Sequence, residues 1–340
     1  MAKKIRVNIV SESEISVQGH GVHTAYEEMA HSLEGRDDIE LIRGHFGEQV
    51  PCDIVHIHTV GPRTFRKLIQ KGPKKVVSAH LVPESFIGSL LFAKAWKPLA
   101  SAYLSKFYNR ADLLLAVSDE TADNLINKLK VKPRVEVMYN SIDTSRYKTP
   151  PRPRDEVRKE LGIAKGAFVV IGAGQVQPRK RVSDMLAVAK KMPDVRFIWI
   201  GGMPFGKIAA DNARMQKMMD NAPGNVKFAG IVPLEDMSSY YHAADAFWLP
   251  SIQETFGLVV VEAAASGLPI ILRDIPDYDA TFGADALRPK TQEDYIQVID
   301  QLKDDSAFYK KWKAGAERIA KRFDSKAAAD RLVAMYRDLL

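Results

Sequence analysis

The chain has a single cysteine, Cys52. One thiol excludes an internal disulfide and a cysteine-rich metal site, and it suits a reducing compartment. Long apolar runs are missing too. No stretch approaches the roughly 20 apolar residues of a membrane-spanning helix. The opening MAKKIRVNIVSESE has an apolar run too short for a signal peptide and reads as a strand. These absences predict a cytoplasmic protein that does not span a membrane. Acidic residues are scarce in one interval. Between Asp53 and Asp112 the only one is Glu84, against ten lysines and arginines that include Lys94 and Lys97. So basic a segment suits nucleic acid, an anionic membrane surface or a phosphorylated ligand, or is a solvated basic face. The lack of a recognised nucleic-acid-binding module argues against the first of these.

What is present is alternation. At 340 residues, 46% of them apolar and 27% charged, the composition is that of a globular protein long enough for two domains. Short β-rich runs come in two sets. KIRVNIV, DIVHIH, KKVVSAH, DLLLAVS and RVEVMYN lie in the first half; AFVVIGAG, VRFIWIGG, VKFAG, DAFWLP and PIILRDI lie in the second. Segments with helical spacing separate them, such as AYEEMAHSLEG, VSDMLAVAKKM and SYYHAA. Such alternation predicts βαβ units and parallel sheets. It is interrupted at RYKTPPRPRDEVRKEL, whose three prolines read as a linker. The fold class is therefore α/β, with two Rossmann-like, doubly wound domains facing a central cleft. Residues 1–148 make the first and 149–324 the second, and a closing helix over 325–340 packs back on the first. Open α/β sheets bind ligands at the carboxyl ends of their strands. This architecture suits a nucleotide-bearing ligand on one domain and a second substrate on the other.

VVIGAGQVQPRK is only superficially a dinucleotide fingerprint. Gly172 and Gly174 follow a strand, but Gln177 stands at the third glycine position and no acid ends the next strand. The residues just beyond are more informative. Arg179, Lys180 and Arg181 stand together before a helix, where cations oppose the macrodipole unless an anion is bound. A diphosphate would account for them; three solvated cations in a loop are the alternative. QETFGLVVVEAAASG, residues 253–267, adds a second feature. It leads through a turn into a helix beginning near Phe256 or Gly257, whose first N–H groups can take phosphate oxygens. Glu254 precedes that helix and Glu262 lies inside it. Eight helical residues rise about 12 Å, beyond the roughly 5–9.5 Å between paired glycosidase carboxylates. Contacts at opposite ends of one long ligand fit better. Glu262 also has apolar neighbours, where a lone acid is costly unless bonded.

The second half resembles the family 4 glycosyltransferases of the two-Rossmann type called GT-B. The likeness runs through GQVQPRKRV, FIWIGG and VKFAGIVPLEDMSSYYHAADAFWLPSIQETFGLVVVEAAASGLPI. The first half is similar more loosely, through QGHGVHTA, CDIVHIHT, VVSAH, LLAVSDETADNL and MYNSIDTSRY. SAHLVPESFIGSL and GQVQPRK look most like bacterial glycolipid transferases that extend monoglucosyl-diacylglycerol with a second hexose. The resemblance implies that Glu262 holds the nucleotide ribose and that Glu254 contacts hydroxyls of the donor sugar. It implies that Lys180, with Arg179, binds the diphosphate, assisted by the amides of Phe256, Gly257 and Leu258. Gly19 and Gly21 would let the first loop approach the phosphates closely, and His80 would face the donor sugar. Two positions depart from the family. Gln175 stands where many members carry a phosphate-binding arginine, for which Arg179 is the candidate substitute, and His20 separates two loop glycines that are often adjacent.

The reaction so implied is a retaining transfer of glucose or galactose from a UDP-sugar to a membrane glycolipid. RDD at 36–38 and KDD at 303–305 fall in turns, and no D-x-D pair to hold a divalent ion is read among the cleft segments. The expectation is therefore a reaction without metal or cofactor, its leaving diphosphate stabilised by cations and amides. His80 would act electrostatically or position the sugar; a satisfied strand-end histidine is its alternative, and the favoured reading for His56, His58 and His242. For the acceptor, FAKAWKPLASAYLSKFYN puts Phe92, Trp96, Leu99, Tyr103 and Phe107 on one helical face and Lys94, Lys97, Ser101 and Ser105 on the other. Such a helix can lie in a membrane interface, or its stripe can be buried on its own sheet. Lys94, Trp96 and Lys97 are the candidate contacts to an anionic inner membrane face. The rival functions are a transferase with a soluble acceptor, a non-catalytic sugar-nucleotide sensor, a nicotinamide dehydrogenase disfavoured by the broken fingerprint, and an epimerase with no placeable proton shuttle.

Overall fold

The computed structural model describes residues 3–12, 21–44, 46, 50–82, 93–203 and 212–340. They divide into two compact units: one comprises the described residues up to Asp143 together with Phe323–Leu340, the other Thr144–Arg322.

The first unit has six parallel strands, β1 (Ile5–Val10), β2 (Ile39–Arg43), β3 (Ile54–Ile57), β4 (Lys74–Ala79), β5 (Leu113–Ala116) and β6 (Arg134–Val137). Their spatial order is β2-β1-β3-β4-β5-β6. The edge strand β2, IELIR, has Glu40 and Arg43 exposed and only Ile39 buried, and is not among the runs read as strands. Crossovers are made by α1 (Gly21–Leu33), α2 (Pro62–Leu68), α3 (Ala93–Tyr108) and α4 (Asp119–Asp123, continued by a π-turn over Asn124–Lys128). Leu68 of α2, Leu104 and Phe107 of α3, and Ala122 of α4 pack on Val55, Val77 and Leu114 at one sheet face. Leu33 of α1 and Leu332, Val333 and Tyr336 of the C-terminal helix cover Val7, Ile54, Val76 and Leu113 at the other. With both faces covered, every residue of β3 and β5 is buried.

The structure bears on the two alternatives for α3. Leu99 and Tyr103 are 65% and 41% exposed, whereas Leu104, Phe107 and Tyr108 are buried. The helix therefore turns Leu104, Phe107 and Tyr108 to the sheet and leaves much of the supposed stripe outside. Phe92 lies outside the described residues, as do the side chains of Lys94, Trp96 and Lys97 in the first turns of α3.

The second unit has five parallel strands, β7 (Phe168–Ala173), β8 (Val195–Ile200), β9 (Val226–Gly230), β10 (Ala246–Leu249) and β11 (Ile270–Leu272), in the order β11-β10-β7-β8-β9. Its helices are α5 (Arg154–Glu160), α6 (Val182–Lys191), α7 (Asn212–Asp220), α8 (Met237–Ala243), α9 (Leu258–Ala265), α10 (Gln292–Asp304) and α11 (Ser306–Arg322); the C-terminal helix is α12 (Ser325–Leu339). The proline run feeds α5 directly. Arg154 and Arg158 grip Asp245 at 2.7 and 2.8 Å, tying α5 to the residue before β10.

Each sheet reverses its winding once. From β1 the chain goes outward to β2, then returns to place β3 on the other side of β1; β10 likewise lands on the side of β7 away from β8. Loops leaving such neighbouring strands diverge and leave room for a ligand. Arg179 and Lys180 follow β7, Glu254 follows β10, and His58 follows β3. Because α12 completes the core of the first unit, Leu332→Ala should lower its unfolding free energy by about 2–5 kcal/mol. Urea denaturation reads this directly, and a loss within about 0.5 kcal/mol, as for a surface position, would remove α12 from the core.

Candidate active site

At the end of β7, Gly174 has φ +138°, a conformation side chains rarely permit. A Cβ there would also lie 3.3 Å from Lys180 Nζ. Gly172 makes room for another neighbour, since its Cβ would meet the Trp199 ring at 2.6 Å. The two glycines of the fingerprint-like run thus serve packing and the seating of Lys180. The chain then makes one 3-10 turn, Pro178–Lys180, and reaches Arg181 in the left-handed region at the start of α6.

This path folds Lys180 inward. It is buried and paired with Glu254, whose second oxygen is 3.5 Å from Arg179 Nη1. Arg179 Nη1 also donates to the Gln253 carbonyl at 3.1 Å, and its Nε donates to Gln177 Oε1 at 3.0 Å. Gln177 Nε2 in turn donates to Gln175 Oε1 at 2.8 Å. Gln175, the departure from the family pattern, is therefore the far end of an amide relay that aims Arg179. Arg181 points elsewhere, to Asp184 at 2.9 Å. The anion that the cation cluster demands is thus Glu254, supplied by the chain from 74 residues away. Burial alone would raise the Glu254 carboxyl, but the attraction of Lys180 and Arg179 holds it below its ordinary range, as a carboxylate. Burial likewise pulls the Lys180 ammonium down, against Glu254.

Helix α9 begins at Leu258, one or two residues later than expected, because Gly257 takes φ +91° as its N-cap. Among the described residues no side chain caps it; the Val260 N–H is taken by the Gly257 carbonyl at 2.9 Å, and the N–H groups before it stand where helices take anions. Phe256 is buried, its ring 5.7 Å from that of Phe282. Glu262, buried on α9, accepts a hydrogen bond from the Tyr241 hydroxyl at 2.8 Å. Burial and the nearby Glu262 charge push that hydroxyl well above its usual range, which keeps it a donor. This is the bond a lone acid among apolar neighbours requires.

In the first unit, His80 follows β4, is buried, and has Nε2 3.2 Å from His58 Nδ1. Burial lowers His80 to about 4 and His56 to about 3, so both are neutral at pH 7. His56 is satisfied at both nitrogens, by the Tyr336 hydroxyl at 2.5 Å and Ser78 Oγ at 2.9 Å. His242 Nε2 lies 2.8 Å from the Tyr147 carbonyl. Gly21 is the first residue of α1; Gly19 and His20 lie outside the described residues. One D-x-D pair exists that the reading by segments passed over, Asp277-Tyr278-Asp279. Asp277 accepts from the Glu254 amide at 3.0 Å, and Asp279 pairs with Arg288 at 2.5 Å. Among the described residues no group of three or more His, Cys, Asp or Glu side chains could hold a metal ion.

Two doubly wound parallel units, with cations and carboxylates gathered at the strand ends of one of them, give the chain the GT-B fold. The chain belongs to family 4: the model for "Glycosyltransferase Family 4" matches residues 20–146, and that for "Glycosyl transferases group 1" matches 153–319. It is 33% identical over 328 residues to the alpha-galactosylglucosyldiacylglycerol synthase of Streptococcus pneumoniae, across 94% of this chain and 86% of that one. It is 31% identical over 226 residues to the processive diacylglycerol alpha-glucosyltransferase of Acholeplasma laidlawii, across 66% and 67%. Anabaena HepE, solved with UDP and glucose, matches with a TM-score of 0.78 over 97% of this chain and 99% of its own, at 18% identity. That last likeness concerns the fold.

The ion pair makes a testable demand. Lys180→Met leaves Glu254 buried with Arg179 alone, and should cost roughly 3–5 kcal/mol at pH 7. With Lys180 present the folded carboxyl lies below its unfolded value; in the variant, burial raises it. The difference should therefore be full at neutral pH and shrink as Glu254 takes a proton on acidification. Chemical denaturation at pH 7 and at mildly acidic pH checks this, and a loss independent of pH would contradict a charged pair.

Proposed function

We propose that this chain transfers a glucosyl or galactosyl group from a UDP-sugar to a membrane glycolipid such as monoglucosyl-diacylglycerol, with retention and without a metal ion. The observation that carries this reading is the 33% identity to the pneumococcal galactosylglucosyldiacylglycerol synthase, because at 94% coverage it runs through both units. The Acholeplasma diacylglycerol glucosyltransferase supports the same acceptor class. HepE, with its bound UDP and glucose, supports the donor.

In this reading the diphosphate displaces Glu254 from Lys180. Arg179 and the backbone of Phe256, Gly257 and Leu258 complete its binding. Hydrogen bonds to charged groups contribute about 1.5–3 kcal/mol each, so these fixed charges stabilise the departing diphosphate in place of a metal. Glu254, once released, accepts from donor-sugar hydroxyls. Glu262, held by Tyr241, accepts from the ribose. Gly19 and Gly21 allow the first loop close to the phosphates, and neutral His80 positions the sugar by hydrogen bonding. The acceptor hydroxyl attacks the anomeric carbon on the face from which the diphosphate leaves. One C–O bond forms as the other breaks, and the hydroxyl proton passes to the leaving oxygen.

The α2–α3 face supports a lipid acceptor. Ile69, Leu99 and Tyr103 are exposed there beside exposed Arg63, Arg66, Lys106 and Arg110, which suits apolar insertion under anionic headgroups. Lys94, Trp96 and Lys97 belong to the same helix, and the contact proposed is peripheral: no helix of the described residues is long and apolar enough to cross a membrane. The decisive assay is UDP release from UDP-glucose and UDP-galactose in a chelator, with and without monoglucosyl-diacylglycerol in anionic liposomes. Lipid-dependent release from one donor is expected. Release indifferent to lipid would move the acceptor to a soluble glycan, and no release from either donor would sink the donor assignment. Replacing Lys94 and Lys97 together by Glu should weaken co-sedimentation with anionic liposomes; unchanged binding would confine α3 to packing.

A further inference from the structure

The buried imidazole beside His80 has no part in that reaction. His58 lies one residue beyond β3, and its backbone amide donates to the Val10 carbonyl at 3.0 Å. Its ring is held on three sides: Tyr26 meets it edge-on at 5.6 Å and 73°, His56 lies 4.7 Å away and His80 5.3 Å away, centroid to centroid. His56 cannot rearrange to meet it, because Tyr336 and Ser78 occupy both its nitrogens. The one hydrogen bond of the His58 ring among the described residues is that between its Nδ1 and His80 Nε2, at 3.2 Å. Its Nε2 is buried and has no partner among the described residues.

Those two facts select a tautomer. Burial holds both rings neutral, so one nitrogen of the pair must donate and the other accept. If His80 Nε2 donated, His58 would carry its proton on the buried, unpartnered Nε2. If His58 Nδ1 donates, that Nε2 is a bare nitrogen, and unpaired buried donors are the rarer fault in folded proteins. We propose that His58 is a positioning residue that donates from Nδ1 to His80 Nε2 and so fixes His80 in the tautomer with its proton on Nδ1. His80 then presents a hydrogen-bond donor, fit for a hydroxyl oxygen of the donor sugar. It offers no free basic nitrogen there, so it does not deprotonate the acceptor. The functional half of this inference rests on the placement of His80 at the donor sugar.

The ring-nitrogen pattern of the unaltered enzyme answers the first question. Long-range proton–nitrogen NMR of labelled protein near neutral pH, with His80 assigned by its loss in His80→Gln, should show Nδ1 protonated and Nε2 bare. The opposite pattern would overturn the proposal. His58→Asn puts an amide N–H where Nδ1–H was, and should keep both the tautomer and the turnover. His58→Phe keeps a ring without nitrogen. It should move the His80 proton toward Nε2 and lower kcat about 10–100-fold, the range for losing a partner that orients a functional imidazole, with KM for the UDP-sugar little changed. Equal activity of the Asn and Phe variants would defeat the positioning role. Full turnover in His80→Gln would instead overturn the placement of His80 at the sugar, while the ring-nitrogen spectra decide the His58 bond separately.

Discussion

Parallel strands buried on both faces leave few places for polar chemistry, and the rest of this molecule depends on that constraint. β3, β5, β10 and β11 have no exposed residue, because helices cover both faces of each sheet. Polar side chains gather instead in the loops beyond the carboxyl ends and on the helices that follow, as Glu262 does on α9. There the reversal of winding next to β1 and next to β7 opens space between diverging loops. His58, His80, Lys180 and Glu254 all lie in such loops.

Placing ionisable groups in so enclosed a position forces each one to be answered. Lys180 and Glu254 answer each other, Glu262 is answered by Tyr241, and His56, His58 and His80 are held neutral by burial. The resting protein thus contains its own substitutes for ligand groups. A carboxylate, Glu254, stands against Lys180, where the proposed reaction would place a diphosphate. Removing one partner leaves a buried charge alone, which costs far more than the pair contributes. In the proposed reaction a diphosphate would avoid that cost by giving Lys180 another anion, which would free Glu254 to accept hydrogen bonds.

The elements with strong local signals were legible in the chain alone. Ten apolar runs became strands, and the alternation with helices specified two parallel sheets, as the GT-B relatives bear out. β2 was not legible, because Glu40 and Arg43 interrupt its apolar residues and leave no continuous run. Which side of α3 meets the sheet was left open, because spacing shows which residues share a side, not which side is covered; Leu104, Phe107 and Tyr108 make that contact. At the site, the glutamates and the cation cluster were visible as types in context. Gln177, Tyr241 and Asp277 were not, since ordinary polar residues carry no local mark of the partner they will meet.

By itself the sequence determined the sheet-forming runs, the breaks between them and the family, all of which depend on residue type and near spacing. Only the tertiary structure decided that Lys180 is neutralised by Glu254, that Gln175 helps aim Arg179, and that His58 lies against His80. Those pairings span 74 residues in the first case and 22 in the last. Strand order brings them together, and strand order is settled by how the faces of the sheets are covered, not by anything written beside the residues themselves.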